Sequence, residues 1–407
     1  MSTSTLSEIV EAWGGLIQTG PFGSQLHQHD YSEQGIPVVM PKDIRNGRVD
    51  ESGIARIPED KASQLSRHFL KAGSVVFPRR GEISKCAYIN EEQAGFLCGT
   101  GCIKIEPPEE KLRSKFLFYF LGLRQSVEWL ERNAVGTTML NLNTKILGGL
   151  KVPLLAPKKQ DEIVDILSAY DDLIENNRRR IQLLEQAARL LYKEWFVHLS
   201  FPGHEHTRII DGVPEGWEDT FLPDVIDVNP KTPVEKGKEI LYVPMSALSE
   251  AGMTADTGDF ERRITHTAVK FKKNDVLLAR ITPCLENGKT GYVYFLGDDE
   301  VACGSTEFIV LRGRRVSPAF AYCLARSYPF RGNAIKSMIG SSGRQRVQVS
   351  CFDEYKVPLP PKHLLEMFDD IANTTFDQIR VLVVQNDKLA KARDLFLPKL
   401  MNGEVVV

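Results

Sequence analysis

The residues best able to do chemistry in this sequence stand in short stretches, and none completes a catalytic pattern. Gly288-Lys289-Thr290 ends like a phosphate-binding loop, where backbone amides wrap a phosphate and a lysine reaches its oxygens. That loop needs an earlier glycine where Pro283 stands, so the stretch reads as a turn. Gly99-Thr100-Gly101 is a fragment of a dinucleotide motif with no third glycine and no helical pattern after it. His27 and His29, and His204 and His206, have no cysteine pair near them at zinc spacing, and Cys98 and Cys102 lack a second pair. No Gly-x-Ser-x-Gly elbow is present. Asn229-Pro230-Lys231 starts like the Asn-Pro-Pro-aromatic motif of adenine methyltransferases, but the second proline and the aromatic are missing and no glycine-rich strand precedes it. A catalytic residue, a metal site and an S-adenosylmethionine site are therefore not expected in this chain.

Bulk properties narrow the class. With 407 residues, two domains are the natural first reading. No apolar run is long enough to span a bilayer, and Met1–Glu8 has neither a basic nor an apolar leader segment, so no signal peptide is expected. The seven cysteines are scattered, which suits a reducing cytoplasm better than a disulfide framework. Net charge is −2, from 51 basic and 53 acidic residues. Nucleic-acid binding by bulk charge needs a clear basic excess, so any such binding must come from local patches or be shared with a more basic partner.

The elements that would position functional residues follow from an internal repeat. Laid against itself at an offset of about 204 residues, the chain matches in six places in the same order. Ile36–Ile44 faces Ile240–Leu248. Gly73-Ser-Val-Val-Phe-Pro-Arg79 faces Asn274-Asp-Val-Leu-Leu-Ala-Arg280, and Cys98-Gly-Thr100 faces Cys303-Gly-Ser305. Phe116–Tyr119 faces Phe320–Cys323, Val135-Gly-Thr-Thr138 faces Ile339-Gly-Ser-Ser342, and Lys151-Val-Pro-Leu154 faces Lys356-Val-Pro-Leu359. Each copy opens with short apolar runs bounded by Gly, Pro, Asn and Asp, which read as strands joined by turns. A helical stretch follows, over 114–132 in the first copy and 318–328 in the second, then a glycine-containing loop and a strand ending in Val-Pro-Leu.

A long helix closes each copy. The first starts after Pro157 with the seam Ile163, Leu167, Tyr170, Ile174, Asn177, Ile181, Leu184, Ala188, Leu191 and Trp195, spaced four and three throughout. The second gives Phe368, Ala372, Thr375, Ile379, Leu382, Asn386, Leu389, Arg393, Phe396 and Leu400, with Arg393 out of place and Pro398 expected to end or bend the helix. Two copies in one chain tend to arrange about a pseudo-twofold axis, which makes the helices antiparallel. With midpoints aligned, facing residue numbers sum to about 563, and Asn177 meets Asn386 as a register-fixing polar pair. The expected fold is α+β, with two α/β domains in tandem, 1–157 and 201–361. Two long antiparallel coiled-coil helices, 158–200 and 362–407, separate them in a pseudo-twofold symmetric arrangement.

At this point the residues carry a family. Thr19-Gly-Pro-Phe-Gly-Ser-Gln-Leu26, with Tyr31 and Gly35-Ile-Pro-Val-Val, resembles the opening of a target-recognition domain in type I restriction–modification specificity subunits. Lys151–Pro157 with the helix through Ile174-Glu-Asn-Asn177 resembles that family's central conserved region. Trp195-Phe196 and Gly212-Val-Pro-Glu-Gly-Trp217 resemble the entry to its second recognition domain, and Lys356–Pro361 with the last helix its distal conserved region. Lys159-Gln160 and His363-Leu364-Leu365 stand where the family often has Glu-Gln, which blurs each helix start. The resemblance implies a non-catalytic, cytoplasmic subunit that binds double-stranded DNA. It also implies two methyltransferase subunits and two restriction subunits as partners, which would carry S-adenosylmethionine, ATP and Mg. Each recognition domain would read half of a split, asymmetric target.

Base edges call for donors and acceptors on exposed loops, and phosphates for basic groups or free amides. Candidates in the first copy are the stretch from Gln18 to Gln25, including Phe22 and Ser24, then Lys42, Arg45, Arg79, Arg80, Thr137 and Thr138. In the second copy they are Lys231, Ser246, Arg280, Thr282, Asn287, Lys289, Ser341, Ser342, Arg344 and Gln345. Arg79 and Arg280 hold matching places in the repeat. Arg178, Arg179 and Arg180, off the seam, are candidates for docking partner helices. Two rival readings are a coiled-coil scaffold that binds no DNA and an autonomous DNA methyltransferase.

Overall fold

The structure, a computed structural model, describes residues 2–45, 47–136, 140–235, 237–264 and 268–405. The chain forms two compact units, Met1–Leu173 with Lys388–Val407, and Ile174–Asp387. Each long helix is thus shared between units instead of standing apart from them.

The runs Val75–Pro78 and Val276–Ala279 are apolar without alternation because they are central strands covered on both faces. In the first unit Val75–Pro78 lies between Cys102–Glu106 and Ala87–Tyr88, with Leu16–Thr19 at the far edge, all antiparallel. Val75 and Phe77 pack toward helices Leu6–Trp13 and Ser114–Gly122, while Val76 packs toward Val39, Leu70 and Cys98. The second unit repeats this: Val276 and Leu278 face the helix Pro318–Arg326, and Leu277 faces Val243, Phe271 and Val310. Each unit therefore has helices on one side of a four-stranded sheet and a second sheet on the other. In the second sheet Ile36–Val39 pairs parallel with Leu97–Cys98, and Ile240–Val243 pairs parallel with Val301–Gly304.

The turn into each central strand shows why unlike residues match. Gly73 and Asn274 both take a left-handed backbone, at φ 86° and 70°, a region open to glycine and next most readily to asparagine. The following side chains then cap the same turn. Ser74 Oγ accepts from the Lys71 amide at 3.0 Å, and Asp275 Oδ2 accepts from the Lys272 amide at 2.8 Å.

The helical stretch expected over 114–132 is two helices, Ser114–Gly122 and Arg124–Asn133, broken at extended Leu123. The second copy likewise has Pro318–Arg326 and Tyr328–Lys336, longer than expected; Ser327 ends one helix and its Oγ caps the next.

The first long helix runs Pro157–Tyr192 and ends in a π-turn over Lys193–Val197. Pro157 at its first position gives up an amide that would have no helical partner. Gln160, fully buried, anchors this start: its Oε1 accepts from the Arg113 amide, and its Nε2 donates to the carbonyls of Lys111 and Leu155. The second long helix runs Lys362–Met401 and continues through Pro398. Leu397, Leu400 and Met401 are buried in the first unit's core, so packing holds the last turn in place.

Within each unit the two helices run antiparallel. In the first, Asp171 meets Arg393 and Tyr170 meets Phe396. In the second, Asn177 Nδ2 donates to Asn386 Oδ1 at 2.9 Å, and Tyr192 and Trp195 meet Phe368. Ile163, Leu167, Ile174, Ile181, Ile379 and Leu382 are buried, and Leu184 and Leu389 are half-buried. Two seam places differ from the spacing: Phe376 is buried beside half-exposed Thr375, and Leu397 is buried beside exposed Phe396.

Candidate nucleic-acid interface

At one end of the first unit's sheet, close contacts gather several loops. Gly20 donates its amide to the Cys102 carbonyl at 2.9 Å. A Cβ at Gly20 would lie 2.0 Å from the Gly99 carbonyl oxygen, so only glycine fits. Arg79 donates its amide to Gly101, Gly101 lies against Pro41, and Arg80 bridges to Asn141. The stretch after Gly20, the turn at Lys42, Arg79, Arg80 and Asn141 thus share one rim.

On that rim Phe22 and Ser24 are exposed, and Gln25 folds back so that its Oε1 accepts from the Phe22 amide at 3.2 Å. Gln18 is not on a loop: it lies half-buried within Leu16–Thr19, opposite Lys104. Arg45 pairs with Arg48 between the short strands Ile44–Arg45 and Arg48–Val49 and lies 3.6 Å from Asp50, and Lys42 lies 4.0 Å from Asp43. Thr137 and Thr138 fall outside the described residues.

The second unit gathers matching loops. Arg280 donates its amide to Glu307 and accepts from the Val347 amide, as Arg79 does with Gly101 and Leu142. Ile281 and Ile339 both bridge to Arg346, as Arg80 and Val135 both bridge to Asn141. Both arginines are half-buried, and each keeps a buried Nε without a partner. Nη2 of Arg280 donates to the Val347 carbonyl at 3.1 Å.

Arg280 lines a concavity of about 640 Å³ with Lys231, Lys270, Asn229, Thr232, Thr306 and Phe308 among its walls. Lys270, Asn229 and Thr306 were missed by sequence reasoning. Lys270 does carry a signal, since with Lys272 it alternates with Val269 and buried Phe271 along the strand Val269–Lys272, which marks the lysines' face as polar. Nearby, Arg346 is neutralised by Glu307 through contacts of 2.8 to 3.0 Å, which hold its guanidinium above its ordinary pKa.

The remaining candidates of this unit lie on three separate segments, at 246, 282–289 and 341–345. Thr282 donates its amide to the Gln345 carbonyl, while its hydroxyl is buried without a partner. Asn287 Nδ2 donates to Glu250 Oε1 at 3.1 Å, and Lys289 Nζ donates to the Met245 carbonyl at 3.3 Å, beside exposed Ser246. Ser341, Ser342 and Arg344 are exposed on the loop between Ile339 and Arg346. The amides of Leu285, Asn287, Gly288 and Lys289 all donate within their own loop, so they do not form a phosphate cradle. Among the described residues no three His, Cys, Asp or Glu side chains gather as a metal site, and no helix is long and apolar enough to cross a membrane.

A family model described as the type I restriction modification DNA specificity domain matches residues 2–186 and 214–373. The chain is 24% identical over 397 residues to the type I restriction enzyme MjaIX specificity subunit of Methanocaldococcus jannaschii, covering 93% of this chain and 88% of that one. A stretch of 159 residues is 35% identical to the type I restriction enzyme EcoEI specificity subunit of Escherichia coli, covering 37% of this chain and 26% of that one. Among solved structures, the S subunit of a type I restriction-modification system from M. genitalium matches with a TM-score of 0.51 at 16% identity, over 98% of this chain and 95% of that one.

Proposed function

Because this chain belongs to the family of type I restriction–modification specificity subunits, we infer that it reads DNA for a larger enzyme and performs no catalysis itself. Each unit reads one half of a split target, and the halves differ because the loop side chains differ. The observation that carries this reading is the repeated rim. In both units a buried central strand runs into an arginine held by backbone hydrogen bonds in the same pattern, next to a residue bridged in the same way, Asn141 in one and Arg346 in the other. The cationic concavity around Arg280 suits a DNA phosphate, and the exposed side chains beside it suit base edges.

Two methyltransferase subunits, and two restriction subunits where present, are the partners. S-adenosylmethionine, ATP and Mg belong to them. Exposed Leu183 and Leu190, and exposed Met367, Ile371 and Val381, leave apolar surface on the long helices for docking. Partner subunits that bind phosphates would also account for the weak charge of this chain.

The test is a gel shift with the complex reconstituted from all subunits, using mixed duplexes and competitor. A single bipartite sequence should be retained. A complex that assembles and shows no sequence preference refutes DNA reading and leaves a scaffold.

A further inference from the structure

Two arginines lie beneath loops of the second unit without an acid beside them. Arg326 is 6% exposed. Its Nη1 donates to the carbonyls of Gly288 and Glu250 at 2.5 and 3.2 Å, and its Nη2 donates to Ala251 at 2.9 Å. Nη2 of Arg331 donates to the carbonyls of Leu285 and Glu286 at 3.1 and 2.9 Å. Among the described residues neither guanidinium has a carboxylate partner, and both Nε atoms are buried without one. Burying a charge without a counter-ion is costly. Here five carbonyl dipoles, drawn from two loops, stabilise it.

The same helix also reaches the long one. Glu185 of the first long helix is 3% exposed; its Oε1 accepts from the Tyr322 hydroxyl at 2.6 Å, and its Oε2 accepts from the Met253 amide at 2.7 Å. Tyr322 stands one turn before Arg326. Burial, with the Glu185 charge after it, pushes the Tyr322 hydroxyl well above the ordinary phenol range, so it stays a donor. Gly288, at φ +90°, is the close-approach point: a Cβ there would lie 3.1 Å from the Glu250 carbonyl and 3.3 Å from Arg331 Nη2.

We propose that Glu185, Tyr322, Arg326 and Arg331 are positioning residues that lock the loops at 250–253 and 282–289 to the first long helix. Asn287 and Lys289 then meet DNA in one geometry. This rests on the DNA-reading function above. Phosphate binding tolerates small loop movements, whereas base discrimination does not. Gly122 occupies the place matching Arg326 in the first copy, so the effect belongs to one half-site alone.

The test uses the fully assembled complex and duplexes carrying single base-pair changes in either half of its target. Arg326→Lys should lower discrimination by about tenfold in one half, with the other half and the salt slope of nonspecific binding unchanged. Glu185→Gln, nearly isosteric, should give a smaller loss in that same half, with the melting temperature kept. If Arg326→Lys fails to fold, Glu185→Gln decides. Discrimination retained in both halves, or lost equally in both, overturns the proposal. A wild-type complex with no preference overturns the function on which it rests.

Discussion

Arg79 and Arg280 each close a buried strand with a half-buried side chain whose Nε has no partner. Such a group gains most from an incoming anion, because folding has already desolvated it. Arg280→Ala should weaken cognate binding by about 1–3 kcal/mol and, for a phosphate contact, reduce the salt slope by about 0.9. A salt titration of the complex reads both, with fold and assembly unchanged; wild-type affinity at near-physiological salt would count against the role. This pair was legible because the repeat set the two arginines in matching places. Lys270 was harder to single out, because Lys270 and Lys272 alternate with Val269 and Phe271 on one short strand, a pattern that marks a polar face without saying whether it faces solvent or a concavity. His68 carries a separate consequence. It is 1% exposed, donates from Nδ1 to the Thr19 carbonyl at 3.0 Å and accepts from Arg67 Nε at 3.0 Å, so the ring is neutral. Burial, and then the Arg67 charge, hold its pKa below the ordinary value. A pKa lower in the native than in the unfolded state contributes stability that is present above the unfolded value, about 6.5, and lost as pH falls through the native one. Denaturation followed from about pH 8 down to 5 should show the first unit losing stability on acidification, and His68→Gln losing less. Equal slopes would refute it.

Among the elements, the long helices were the most legible, because a four-three spacing sustained over so many turns marks a paired long helix and fits no strand or loop. Even the facing of Asn177 and Asn386 follows from it, and the two amides lie 2.9 Å apart. The spacing misled where a neighbour packed better, as Phe376 does beside Thr375. Arg393, out of place in an apolar seam, is matched by Asp171 at 2.5 Å, and Asp171 also accepts from the Tyr119 hydroxyl at 2.6 Å. That partner lies on the other helix and has no sequence signal. The breaks at Leu123 and Ser327 were missed for a similar reason, since a single extended residue barely disturbs an apolar pattern. The amide pair gives a clear cycle. Asn177→Leu or Asn386→Leu alone should cost about 1–3 kcal/mol by leaving one amide unpaired. The double leucine variant should recover that loss but give up a unique register. Thermal melts of the four chains measure the coupling, and additive single effects would show that the amides do not depend on each other.

At the scale of the whole chain, balanced charge and repeated architecture fit the proposed reader of a split target within a larger enzyme. Replacing residues 201–361 with the corresponding segment of a relative should change one half of the methylated sequence and leave the other intact. Mapping methylated bases in cells that carry the partners would show it, and a change in both halves would contradict independent reading. The division of the second long helix has another consequence, this time for biosynthesis. Its last residues, Leu397, Leu400 and Met401, fill the core of the unit built mainly from Met1–Leu173. The unit whose first 173 residues leave the ribosome before the second unit is made therefore waits for Leu397, Leu400 and Met401 before its interior is closed. A stop codon before Leu397 would harm the unit built mainly from Met1–Leu173.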